Sequence, residues 1–170
     1  MNKTILTTLL LLACQTGGVQ AQTCNTSNYL TTPTSRFVLN TDGTALDKKT
    51  SLLWKRCLEG YTWNGSTCTG ARSAANWQNA LKQAAASTFI GKTDWRLPNA
   101  KEIESIAERG CVDPQVNLSV FPNMPTTFIW SSTPDVNNTS LAWAGGSGYQ
   151  NHSSYSKNFG YGVLLVRNTP

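Results

Sequence analysis

The sequence is poor in the groups on which most recognisable chemistry depends. It has one histidine in 170 residues and no Cys-x-x-Cys spacing, so neither a structural zinc site nor any other metal centre is expected. Charged residues make up 14%, against about a quarter in ordinary globular chains. There are no heptads and no second long apolar run, which excludes a fibre or a multi-span membrane protein. What is present is aromatic: six Trp, five Tyr and five Phe. Low charge with many rings predicts a packed core rather than disorder, at the size of one domain.

Met1 to Ala21 reads as a secretory signal. Lys3 gives the positive start, Ile5 to Ala13 the apolar stretch, and Val19-Gln20-Ala21 a small-residue cleavage site. Leu11-Leu12-Ala13-Cys14 offers a competing reading as a lipoprotein box; ordinary cleavage is favoured, and membrane attachment is expected only if Cys14 is lipidated. Four cysteines remain on either reading, an even number that predicts two disulfides in an oxidising compartment. The chain is therefore expected to be exported, to the periplasm, the cell surface or the medium. Cys57 and Cys68 enclose ten residues containing Gly60, Asn64 and Gly65, a loop able to turn back on itself. Pairing them leaves Cys24 with Cys111.

Residues 22–36, rich in Thr, Ser, Asn and Pro, read as an extended arm before a domain at 37–168. Phe37 to Leu39 predicts a strand, and Thr44 to Asp47, Lys48-Lys49 and Ser51 to Arg56 predict a hairpin. Its Leu53 faces one side and its Leu52 and Trp54 the other. Trp77, Ala80, Leu81, Ala84, Ala85 and Thr88 recur at helical spacing, with Gly91 as the stop. Asn99 with Glu102 predicts a capped helix from about Ala100 to Arg109. Cys111 to Pro125 reads as a long ordered loop. Phe128 to Ser132, Leu141 to Ala144 and Gly162 to Arg167 read as strands, the last buried on both faces. The order predicts an α+β domain.

Three segments carry a resemblance: Thr50-Ser51-Leu52-Leu53-Trp54-Lys55-Arg56-Cys57, Asp94-Trp95-Arg96-Leu97-Pro98-Asn99-Ala100-Lys101-Glu102 and Phe128-Ile129-Trp130-Ser131-Ser132. With Phe121-Pro122-Asn123 and Leu165-Val166-Arg167, they resemble the C-terminal domain family of the Legionella collagen-like protein. The likeness runs from about Thr34 to Arg167, and Ser51 stands where it leads one to expect Gly. It implies a C-type-lectin-like fold related to the formylglycine-generating-enzyme branch: two helices packed on small antiparallel sheets with long ordered loops. It also implies binding of sulfated polysaccharides, although the trimerising Gly-X-Y stalk is missing from this chain.

Trp54, Trp77, Trp95 and Trp130 sit at periodic positions and are expected in the core; Arg96 is expected to tie its connector to a carboxylate or to carbonyls. Lys48, Lys49, Lys55, Arg56 and Arg72 form a candidate anion-binding patch, with no acid between Asp47 and Glu59. Gly145 to Gly160 presents Tyr149, Asn151, His152, Tyr155 and Asn158 on Gly and Ser, the chemistry of adaptable binding loops. Those residues with Trp143 are the candidate ligand site. Rings would cover the apolar side of a sugar while amides meet its hydroxyls. A calcium site is not expected, since Thr133-Pro134-Asp135 only half resembles the lectin motif and Thr133 has no side-chain carbonyl.

Catalysis is not expected either. Ser131, Ser132 and Ser153 lie in no nucleophile-elbow context, and Glu102 and Glu104 lie two apart on a helix, facing different ways. The formylglycine-generating relatives use cysteines near the C-terminus, where this chain has none after Cys111. The expected function is glycan binding without a cofactor. The alternative is a protein-interaction or structural module of the cell envelope, and the remote one a hydrolase. The partner is a glycan or a cell-surface protein; nucleic acid is not one.

Overall fold

A computed structural model describes residues 22–25, 30–146 and 152–169. The reading of Met1–Ala21 as a leader, and two of the candidate ligand residues, Tyr149 and Asn151, lie outside them. In chain order the strands are β1 (Thr23–Cys24), β2 (Phe37–Leu39), β3 (Thr44–Asp47), β4 (Leu52–Lys55), β5 (Tyr61–Trp63) and β6 (Cys68–Gly70). After the helices α1 (Trp77–Ala85) and α2 (Ala100–Ser105) come β7 (Cys111–Val112), β8 (Phe128–Pro134), β9 (Leu141–Gly146), β10 (Ser153–Ser156) and β11 (Val166–Asn168). The architecture is mixed α+β with small antiparallel sheets and two disulfides, Cys24–Cys111 and Cys57–Cys68.

A four-stranded sheet of order β11-β4-β3-β2 lies at the centre. Alternation along its strands sends side chains into two separate cores. Leu52, Trp54, Leu164 and Val166 join Phe37, Phe121, Ile103 and Ile129 on one side. Leu53, Val163 and Leu165 join Trp95, Leu97 and Trp130 on the other. Trp54 and Trp130 are fully buried, Trp95 nearly so, and Trp77 partly buried against the second core. Phe121 meets both Phe37 and Trp54 edge-on with centroids 6.2 Å apart. The Cys57–Cys68 loop is itself a hairpin, β5 against β6, with Trp63 opposite Cys68.

Both helices are shorter than their sequence patterns predict. Asn76 caps α1 by accepting from the Asn79 N–H. After Ala85 the chain tightens, Ala86 N–H reaching the carbonyls of Lys82 and Ala84, and Phe89 turns inward to lie 5.7 Å from the Trp95 ring. Thr88 is left exposed. In α2 the Ser105 hydroxyl donates back to Glu102 O at 2.7 Å, a bond that competes with helix continuation. Ile106 N–H then pairs with Ile103 O. The stretch between Gly145 and Gly160 is not one loop. β9 runs to Gly146, and β10 pairs antiparallel with it, Ser154 opposite Trp143 and Tyr155 opposite Ala142.

The arm is ordered where it is described. β1 pairs with β7 beside the Cys24–Cys111 bridge, and the Gln22 amide donates to the carbonyls of Pro114 and Val116. Arg36 forks onto Asp47, a buried carboxylate that also accepts from the Lys49 N–H and the Thr50 hydroxyl.

Candidate functional site

The connector between the helices fixes one wall of the site. Trp95 is buried and donates its indole N–H to Phe89 O. Arg96 exchanges backbone hydrogen bonds with Val166, and its guanidinium forks onto Glu102, both contacts 2.8 Å. The carbonyl of Pro98 accepts from Ser132 N–H. Asn99 and Glu102 close a reciprocal capping box. Burial alone would raise the Glu102 carboxyl, but the Arg96 fork and the Asn99 N–H hold it below the usual range. α2 is thereby held against β8 and β9, with Ile103 turned inward and Lys101 and Glu104 on its outer side.

The opposite wall comes from β9 and the start of β10. Trp143 is half-buried, and its indole N–H has no partner among the described residues. His152 stands just before β10, against Gly145. A Cβ on residue 145 would lie 2.5 Å from Ile103 Cγ2 and 2.7 Å from His152 Cε1, so only glycine lets strand, helix and imidazole meet. Trp143 and His152 line a groove of about 490 Å³ together with Thr133 and the Asn99, Ala100, Lys101 and Glu104 side of α2. Burial pushes the His152 imidazole below its ordinary value, reinforced by Lys101 and Arg109 and opposed by Glu104. The neutral form of the ring is thereby favoured.

A second groove, of about 360 Å³, shares Lys101 and Glu104 with the first and adds Thr31, Arg36, Lys49, Ser105 and Arg109. Glu104 faces Lys101 at 3.3 Å and Arg109 at 3.0 Å. With Arg36 neutralised by Asp47, that single carboxylate stands against three cations. The surface is therefore positive, and Lys101 is 90% exposed.

The basic patch drawn from the sequence does not hold together. Lys55 is buried, paired with Glu59 at 2.7 Å and lying 4.7 Å from the Phe89 ring. Arg56 is buried too, donating to Val120 O at 2.8 Å and Ser119 O at 3.0 Å beneath the Trp63 ring. Both sit on or beside a strand whose two faces are covered, so their charges are spent inside the fold. Lys48 and Arg72 are exposed but line neither groove. Lys49 alone joins the cationic groove. Of its partners, Lys101 carries no local sequence signal beyond its i, i+3 spacing to Glu104, and Arg109, five residues from Glu104 and past the end of α2, carries none, while Thr31 and Arg36 arrive by long-range packing.

The candidate ligand residues divide in the same way. Trp143 and His152 come together. Tyr155 faces the core, its ring 4.7 Å from Phe128 and 5.5 Å from Tyr161. It is turned there because the pleat places it beside Ala142, on the side away from Trp143. Asn158 is exposed in the turn after β10 and lines neither groove.

A model of the family described as the Lcl C-terminal domain matches residues 43–167. No curated protein matches the chain.

Proposed function

The chain belongs to the Lcl C-terminal domain family, and from that footing we propose that it is an exported binding module whose two adjoining grooves recognise a glycan carrying anionic groups. The observation that carries this reading is Trp143 beside His152, in a groove that shares Lys101 and Glu104 with a cationic one. A partly exposed indole offers its face to the apolar side of a sugar and its N–H, unpartnered among the described residues, to a hydroxyl. Lys49, Lys101 and Arg109 offer charge-assisted donors to sulfate or uronate groups. Two disulfides fit an oxidising compartment. The finer architecture we propose is C-type-lectin-like, supported by two short helices on small antiparallel sheets.

Recognition rather than catalysis is supported by the hydroxyls next to the groove. The Ser131 hydroxyl donates to Trp143 O at 2.8 Å and accepts from Thr133 N–H, so it serves the strand pair instead of acting as a nucleophile. A shallow site of this kind binds in the millimolar to micromolar range, about −4 to −8 kcal/mol, and gains by multivalency.

The test is binding of oxidised residues 22–170 to an array of sulfated and neutral glycans. Trp143→Ala should lower binding to all responding glycans about tenfold. Lys101→Ala should weaken only the sulfated ones, with a smaller slope against salt. Binding indifferent to Trp143 would remove the groove from consideration. A protein-contact role is favoured by Phe159, 53% exposed, and Val136, 90% exposed; it would show as salt-insensitive capture of a protein and silence on the array.

A further inference from the structure

The cationic groove has walls from distant parts of the chain. Lys101, Ser105 and Arg109 stand on α2 and the turn that follows, while Thr31 and Arg36 come from the N-terminal arm, ahead of the matched residues 43–167. We propose that the arm is a working wall of the ligand groove, and that Glu108 is the positioning residue that sets it in register. The proposal rests on the reading of the grooves as a glycan site.

Glu108 is 1% exposed, yet among the described residues its carboxylate meets neutral donors only. Oε1 accepts from the Thr31 N–H, the Thr31 hydroxyl and the Gly110 N–H. Oε2 accepts from the Thr32 N–H and hydroxyl. Four of the five donors belong to the arm. A buried ionised group is a poor way to gain stability alone, because desolvation offsets what its bonds return. It does select a register: two adjacent threonines dock on one carboxylate, so Thr31 and no neighbour enters the groove.

Thr31 passes that register on. Its hydroxyl shares its one proton between Glu108 Oε1 at 3.1 Å and Ala107 O at 2.9 Å, and its oxygen accepts the Arg109 N–H at 2.9 Å. The backbone that carries the Arg109 guanidinium is thus tied to the arm. At either end the arm is fixed as well, by the Cys24–Cys111 bridge and by Arg36, which donates to Ser105 O at 2.9 Å.

The experiment reads charge at position 31. Thr31→Val, Thr31→Lys and Thr31→Glu all lose the same hydroxyl and so suffer a similar structural loss. Dextran sulfate is the probe and unsulfated dextran the control. Relative to Thr31→Val, the lysine variant should bind about threefold tighter and the glutamate variant about threefold weaker, the size an exposed charge contributes, with both effects shrinking as salt rises. The same pair at Ser35, an exposed arm residue outside the groove, should change binding much less. Glu108→Gln should weaken the probe and flatten the response to charge at position 31.

Equal responses at positions 31 and 35, or none at 31, would overturn the arm as a wall and leave the groove reading standing. A wild-type chain that ignores both dextran sulfate and inorganic sulfate would overturn the two together.

Discussion

Ser51 ends the turn between β3 and β4 with φ of 57°, in the left-handed region. It is held there by its N–H on Asp47 O, while its carbonyl accepts from Thr169. The resemblance led to the expectation of glycine at this position, and the backbone supplies the reason. A Cβ in that region is disfavoured, whereas glycine adopts it freely. Ser51→Gly should therefore raise stability by up to about 1 kcal/mol, after the greater unfolded-state freedom of glycine is subtracted. Urea unfolding of both chains measures the difference. Other single residues were readable for their chemistry but not for their surroundings. Arg96 reads as a tie to a carboxylate or to carbonyls, and it finds Glu102 six residues on and the Leu97 carbonyl beside it. Arg56 reads as a surface charge because nothing local shows that Ser119 and Val120 bring their carbonyls to it.

Elements were legible where their signals are local. The α2 capping box, the β3–β4 hairpin and the two-sided burial of Val163 to Val166 all follow from short-range pattern. β10 was not legible, since Ser-Ser-Tyr-Ser carries one apolar residue and gains its strand character from pairing with β9. The arm looked merely extended because the carboxylate that docks it lies more than seventy residues away. Burial would raise the Glu108 carboxyl, but the N–H groups of Thr31, Thr32 and Gly110 hold it below its ordinary value of 4.5. The folded chain then binds fewer protons than the unfolded one just below that pH. The contribution of Glu108 is full above 4.5 and is lost as pH falls through the lower, folded value. Glu108→Gln should cost about 2 kcal/mol at pH 7, by leaving buried donors unmet. The variant should also lack that part of the acid sensitivity in urea titrations.

At the scale of the molecule, one sheet divides two cores and two bridges clamp its periphery. Both pairings were deducible, one from its short loop and the other by elimination. The Cys57–Cys68 bridge joins positions 11 apart in sequence and the Cys24–Cys111 bridge positions 87 apart. Chain entropy assigns them about 3 and about 4.5 kcal/mol. Replacing each pair by serine should therefore lower stability more for Cys24 and Cys111, with the difference read from denaturant midpoints. Losses in the reverse order would mean that the arm opens as a unit of its own while the sheet remains folded.

One bridge lies wholly inside the span of the other, and that nesting sets a pairing problem for the chain as it is made. Of the four bridged cysteines, synthesis delivers Cys24 first and Cys111 last, with Cys57 and Cys68 passing between them. Cys24 must stay unpaired while two reactive neighbours go by, and the β5–β6 hairpin removes both by joining them to each other. If the hairpin shields the first thiol in this way, Cys68→Ser should raise the share of chains bridged Cys24–Cys57, which disulfide mapping of the oxidised product would read.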